Sequence, residues 1–261
     1  MSDLVRYETR GRVALLTLDR PAARNAINGE VARSLEAAVD RMEADDEVWV
    51  GILAAEMSGM STPVFCAGAD LKEVNAGRGA ELQTERGGFA GFVYRERRKP
   101  IIAAVDGLAT AGGCEIVLAC DLVVASTQAA FGLAEVKRNL IAGAGGLFRL
   151  PRAIGRSAAM EAILTGEPIP AERAHQLGLV SRLTAPGETL DEAFRLAAQI
   201  TANAPLAVWA SREIVVAADD GDDATLRAMT DEAMGAIMSS DDLREGLTAF
   251  IEKRPPVWTG R

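Results

Sequence analysis

Short β-type runs separated by helical patterns constrain this chain more than any other feature. VALLTLD (13–19), VWVGILAA (48–55), IIAAVDG (101–107), LVVAS (122–126) and GLVSRL (178–183) are apolar, rich in β-branched residues and strand-length. Between the first two, Val31, Leu35, Ala38, Val39 and Met42 recur at helical spacing over residues 28–43, with Asn28 placed to cap the helix. Strands alternating with helices predict an α/β fold built from right-handed crossovers. Beyond Pro186 only helical patterns remain, over residues 189–251, broken at 203–205, 219–223 and 239–242. The predicted organisation is a core over residues 1–187 and a helical C-terminal subdomain over 188–261. No fixed-period repeat or low-complexity segment is visible.

Two glutamates, Glu115 and Glu135, stand inside the oily, glycine-rich stretch 101–150. Asp106 and Asp121 flank segment ends there and can act as caps. Glu115 falls within the apolar segment itself. Burying even a neutral polar group without a partner costs roughly 2 to 7 kcal/mol, and a buried carboxylate answers by holding its proton more tightly. Glu115 is therefore a candidate acid or base. Taken alone, Glu135 reads as a solvated residue at a helix start, beside Lys137 and Arg138, in preference to a catalytic group.

A chain of 261 residues with 49% hydrophobic and 25% charged residues can bury a large core. Its net charge of -9 opposes a general nucleic-acid or anionic-membrane surface. An anionic ligand must then be met by local Lys and Arg. Cys66, Cys114 and Cys120 make no disulfide framework, and with His175 as the one histidine there is no zinc-ligand set. The opening MSDLVRYETRGR carries no apolar targeting core and no run approaches a membrane span. These features predict an untargeted cytoplasmic protein.

PVFCAGADLKEV (63–74) runs from a strand through the small turn Ala67-Gly68-Ala69 into a helix capped by Asp70. Small residues let a ligand approach the backbone, and N–H groups ahead of a helix lack intrahelical acceptors. An ordinary strand-to-helix turn has the same composition. A second site of the same kind, GLATAGGCEIVLACD (107–121), has Gly112 and Gly113 opening an apolar helix. Two amide donors from two such turns can form an oxyanion hole; losing one donor of such a pair raises the barrier by about 3 kcal/mol.

These segments together, with LTLDRPAARNAIN, FGLAEVKRNLIAGAGGLFRLPRAIG, LTGEPIPAERAHQLGLV and the ending FIEKRPPVWTGR, resemble the crotonase, or enoyl-CoA hydratase/isomerase, superfamily over nearly the whole chain. The resemblance implies a spiral of ββα turns followed by helices that assemble a trimer or hexamer. It implies that the N–H groups of Ala69 and Gly112 hold a thioester carbonyl, and that Glu115 and Glu135 are the glutamate pair of hydratases. Glu115 then activates water and Glu135 protonates Cα of a trans-2-enoyl-CoA. Polarising the carbonyl makes Cβ electrophilic, so water and a proton must be handled at two positions. The same resemblance places Arg24, Ala26, Ala67, Gly68, Asp70, Leu71 and Lys72 against the acyl-CoA, and Lys253 near a CoA phosphate, of a neighbouring subunit or its own. It implies no metal, flavin or nicotinamide; coenzyme A is part of the substrate.

Hydratases commonly read LGxIPGAGG where this chain reads RNLIAGAGG, so Asn139 and Ala142 are departures beside the expected acyl group. Isomerisation of an enoyl-CoA or dehydration of a carnitinyl-CoA are alternatives on the same fold, and a noncatalytic acyl-CoA- or RNA-binding protein is one of another class. The run Arg95-Glu96-Arg97-Arg98-Lys99 reads as a solvated helix end in preference to a phosphate patch. His175 reads as a helix-end residue and Cys66 and Cys114 as packing residues. Phe89, Phe92 and Tyr94 fit either an acyl pocket or the core.

Overall fold

The computed structural model describes residues 4–261; the first three residues of the opening segment, and of the 1–187 unit, lie outside the described residues. The strands are β1 (Val5–Arg10), β2 (Val13–Leu18), β3 (Val50–Ala55), β4 (Val64–Cys66), β5 (Gln83–Thr84), β6 (Gly88–Phe89), β7 (Ile101–Val105), β8 (Leu108–Thr110), β9 (Leu122–Ser126), β10 (Ala130–Gly132), β11 (Ile169–Pro170) and β12 (Arg182–Thr184). The helices are α1 (Gly29–Ala44), α2 (Leu71–Asn75), α3 (Gly112–Leu118), α4 (Gly146–Ile154), α5 (Arg156–Thr165), α6 (Ala171–Gln176), α7 (Thr189–Thr201), α8 (Pro205–Ala217), α9 (Asp223–Met238) and α10 (Asp241–Glu252).

Two mixed sheets hold ten of these strands, and β5 and β6 pair antiparallel with each other. The six-stranded sheet has the order β1-β2-β3-β7-β9-β12 and the four-stranded sheet the order β11-β10-β8-β4. Successive windings of the chain give one strand to each: β3 then β4, β7 then β8, β9 then β10. Along the larger sheet β2, β3, β7, β9 and β12 run parallel, as do β4, β8 and β10 in the smaller one, while β1 and β11 close an edge antiparallel. This is the α/β spiral that the sequence predicts.

Both faces of the larger sheet are covered, which is why its strands read as continuous apolar runs. Val13, Leu15, Val50, Ile52, Ile102 and Val124 point to one side, where Ala193 and Ala197 of α7 meet them. Ala14, Leu16, Leu18, Leu53, Ile101 and Val123 point to the other, into the core shared with α1 and the smaller sheet. The helix expected over 28–43 is α1, with the Asn28 side chain accepting from Val31 N–H at 2.9 Å. The helices expected beyond Pro186 are α7 to α10, with α7 packed on the sheet and thus part of the core's packing.

The basic run 95–99 corrects the sequence reading, being neither a solvated helix end nor a free phosphate patch. Arg95 pairs with Asp40 at 2.7 Å, Arg97 and Arg212 share Asp121, and Arg98 stacks on Trp209. Lys99 is completely buried, its Nζ donating to Met42 O and Asp45 O, each at 2.7 Å. These carbonyls belong to the C-terminal end of α1, where the helix dipole favours a cation. Charge pattern alone hides this, because the acceptors come from another element. Lys99→Met leaves the buried Met42 carbonyl without its donor, at about 1 to 3 kcal/mol, while Asp45 O keeps Val48 N–H at 3.0 Å; a lower thermal unfolding midpoint is expected, and an unchanged midpoint would refute the capping role.

Candidate active site

Three stretches of backbone converge at one end of the smaller sheet. After β2, residues 20–27 are stitched to the turn after β4: Ala67 N–H donates to Arg24 O (3.1 Å), Ile27 N–H to Gly68 O (2.8 Å) and Asp70 N–H to Ile27 O (2.9 Å). Asp70 is buried, its Oδ2 paired with Arg20 at 2.7 Å and its Oδ1 accepting from Lys72 N–H at 3.0 Å. Its carboxylate thus braces the turn, and the paired Arg20 helps hold it below its ordinary pKa against the effect of burial. The turn itself needs Gly68, whose φ of +84° suits glycine and whose missing Cβ would stand 2.8 Å from Gly112 N.

That contact brings the second turn alongside the first. Ala111 precedes α3 at φ 51°, ψ −129°, a strained conformation for a residue with a side chain, and its N–H is tied to Gly132 O at 2.8 Å. Among the described residues neither Ala69 N–H nor Gly112 N–H has a protein acceptor. Two unpaired donors beside each other can take one polarised oxygen.

One turn into α3, Glu115 is 3% exposed. Its Oε1 accepts from Ala144 N–H (2.7 Å), in the loop ahead of α4, and from Gly146 N–H (2.9 Å), the first residue of that helix. Burial raises its carboxyl above the ordinary value, opposed by those two amides and by the charge of Arg149. Glu135 opens the 3-10 turn Glu135–Arg138 after β10, and its Oε2 is buried without a hydrogen-bond partner. Burial raises this carboxyl as well, and the negative charge of Glu115 pushes the same way. The solvated reading of Glu135 is therefore replaced by a carboxyl within electrostatic reach of Glu115, and protons taken up there belong to the pair.

Both groups ionise less readily folded than unfolded. The stability they contribute is present in full below the unfolded carboxylate range and is lost as pH rises through the raised folded values. Glu115→Gln keeps an acceptor for both amides and cannot ionise. We expect it to unfold at a higher temperature than wild type near about pH 8, with the gap closing toward about pH 4. Unfolding scans across that range test the sign.

The loop 20–27 and the turn 67–72 also bring Arg24, Ala26, Leu71 and Lys72 to one edge of this cluster. Arg24 and Lys72 are exposed and make no ion pair among the described residues; Ala26 is buried and Leu71 is 56% exposed. Lys253 ends α10 in a left-handed conformation, exposed, joined to that cluster by no hydrogen bond or ion pair. Phe92 is core, whereas the Phe89 ring lies against Gly112, within 2.6 Å of where a Cβ there would stand. Tyr94 is half exposed, its hydroxyl donating to Gly143 O at 3.3 Å.

Asn139 takes φ 56°, ψ 37° at the end of its 3-10 turn. Asparagine is among the few residues with a side chain that visit this region readily, so it keeps the backbone that a glycine there would adopt. Cys66 and Cys114 are buried, and burial pushes the Cys66 thiol up to about 12 and raises that of Cys114, which suits packing and not nucleophilic attack. His175 Nδ1 sits 2.7 Å from Val180 O beyond its own helix. No helix is long and apolar enough to cross a membrane, and no group of three metal-ligating side chains occurs among the described residues. Sequence reasoning assigns no role to Ala144, Gly146 or Arg149; the small-residue run 142–146 is the available signal.

Residues 8–261 match the family described as enoyl-CoA hydratase/isomerase. The crystal structure of an enoyl-CoA hydratase from Mycobacterium tuberculosis H37Rv superposes with a TM-score of 0.93 at 45% identity, covering 100% of each chain. A short-chain-enoyl-CoA hydratase of Clostridium acetobutylicum is 37% identical over 254 residues, 95% of this chain and 94% of its own. A carnitinyl-CoA dehydratase of Proteus mirabilis is 35% identical over 266 residues, covering 100% of both.

Proposed function

The chain belongs to the enoyl-CoA hydratase/isomerase family, and from that premise we propose that it is an enoyl-CoA hydratase, adding water syn and reversibly across the double bond of a trans-2-enoyl-CoA. The observation that carries this reading is the carboxyl pair: Glu115 aimed by two amides, Glu135 with a buried oxygen unpartnered, beside two unpaired N–H donors. The N–H groups of Ala69 and Gly112 receive the thioester oxygen and stabilise the enolate that forms. Glu115 takes a proton from water as the water oxygen bonds to Cβ; the π electrons move onto the carbonyl, the carboxyl of Glu135 gives its proton to Cα as the enolate collapses, and proton exchange with solvent restores both carboxyls. One water is added, and in dehydration the roles reverse. Burial and the negative charge of Glu115 both favour the protonated form of Glu135.

Arg24 and Lys72 meet the CoA phosphates beside the backbone of Ala26, Ala67, Gly68, Asp70 and Leu71, with Lys253 reaching a phosphate from a neighbouring subunit or its own. Assembly as a trimer or hexamer is supported by apolar side chains left exposed on α8 to α10, among them Val215, Met238, Phe250 at 84% and Ile251 at 78%. The substrates named for the relatives vary, so acyl preference is read by a scan of short, long and branched enoyl-CoAs, starting from crotonyl-CoA. Loss of the enoyl thioester absorbance is expected. Turnover of a 3-enoyl-CoA to the 2-enoyl isomer without hydration would overturn the reading in favour of isomerase, for which one carboxylate suffices.

A further inference from the structure

Glu115 is aimed by a loop that is itself clamped from behind. Ala144 and Gly146 donate to Glu115 Oε1, and on the far side of the same loop Arg149, in the first turn of α4, sends Nη1 to Ala144 O (3.3 Å) and Nη2 to Val93 O (2.6 Å). Tyr94 adds its hydroxyl to Gly143 O, and its ring and that of Phe148 each lie 5.3 Å from the guanidinium. Ala144 thus accepts from Arg149 through its C=O and donates to Glu115 through its N–H, so one residue joins the two side chains. Arg149 is half-buried and makes no ion pair among the described residues.

We propose that Arg149 is a positioning residue for Glu115, locking through Ala144 and the 93–94 segment the loop whose amides aim that carboxylate. Its planar fork reaches the carbonyls of two segments from two separate nitrogens, Nη1 and Nη2, whereas a lysine ammonium would have to reach both from a single point. Its charge also opposes the burial that makes Glu115 hard to ionise. The groups facing Glu115 are Cys114 on its own helix, Glu135 from the turn after β10 and Arg149 from α4; Arg138 faces Glu135, and Tyr94, Arg97 and Arg152 surround Arg149. Arg149 is therefore the cation through which Glu115 is tuned.

The inference rests on the hydratase reading, so the wild type is assayed first. Wild type, Arg149→Met, Arg149→Lys and Arg152→Met are compared for kcat, KM and the pH dependence of kcat, with thermal unfolding as the folding check. Arg149→Met is expected to lower kcat by about 10- to 100-fold, with KM changed by no more than about threefold. The acid limb of its pH profile moves upward, because burial of Glu115 is then unopposed by that charge. Arg149→Lys keeps the limb near its wild-type place and recovers only part of kcat. Arg152→Met, whose side chain pairs with Asp219 and Asp220 instead, leaves kcat and limb in place.

A folded Arg149→Met variant with wild-type kcat and an unmoved limb overturns the proposal while leaving the hydratase reading intact; a wild type that neither hydrates nor dehydrates removes both. If Arg149→Met does not fold, Arg149→Lys and Tyr94→Phe decide: lowered kcat in the first, with the limb held, supports the clamp, and wild-type kcat in both overturns it.

Discussion

Replacing either glutamate by glutamine is expected to lower hydration of crotonyl-CoA by at least about 10²-fold, the ordinary contribution of a general acid or base. Glu115→Gln preserves the acceptor for Ala144 and Gly146, so the loop ahead of α4 stays in place and the loss falls on kcat. Glu135→Gln removes a proton donor whose buried Oε2 has no partner in the protein, so no hydrogen bond to that oxygen is broken. The two variants should differ in character. Without Glu115 both addition and elimination lose the group that handles water, whereas without Glu135 the slow step becomes exchange at Cα. Incorporation of deuterium at Cα from heavy water reads that exchange directly. If both variants kept near wild-type turnover, neither carboxyl would serve as the acid or base of the reaction.

Gly68→Ala should be as damaging by a different route. The added Cβ would stand 2.8 Å from Gly112 N, directly against one amide of the donor pair, and the residue would have to hold φ at +84°. Displacing one such donor lowers kcat by about 10² to 10³. Gly59→Ala is the informative control. Its φ of +76° imposes a similar backbone strain, yet nothing lies within 4 Å of the new carbon. Equal activity loss in both variants would assign the effect to general destabilisation, while loss confined to Gly68→Ala would assign it to the amide pair.

How much of this fold and site is legible in the residues depends on whether the relevant partner is local. The apolar runs become β2, β3, β7 and β9 because burial on both faces leaves a continuous hydrophobic signature, and α1 follows from its 3.6-residue period and Asn28. By contrast β8, β10 and β11 are two or three residues long, too short for any period to register. β1 escapes detection because VRYETR is largely exposed on an edge. Glu115 announces itself by charge in an oily segment. Glu135 does not, since its burial comes from windings distant in sequence. Lys99 and Arg149 are opaque for the same reason: each is satisfied by carbonyls of another element, and a basic residue in sequence gives no hint of that.

Ala69 and Gly112 follow neighbouring members of a parallel pair, β4 and β8, whose strands lie about 4.8 Å apart, so the pairing of the two strands brings the two turns alongside each other. On the proposed reading, remodelling the walls around the acyl group is expected to redirect which thioester is accepted while the two N–H donors stay on their strands. On that reading, choice of substrate and activation of the carbonyl rest on different parts of the chain.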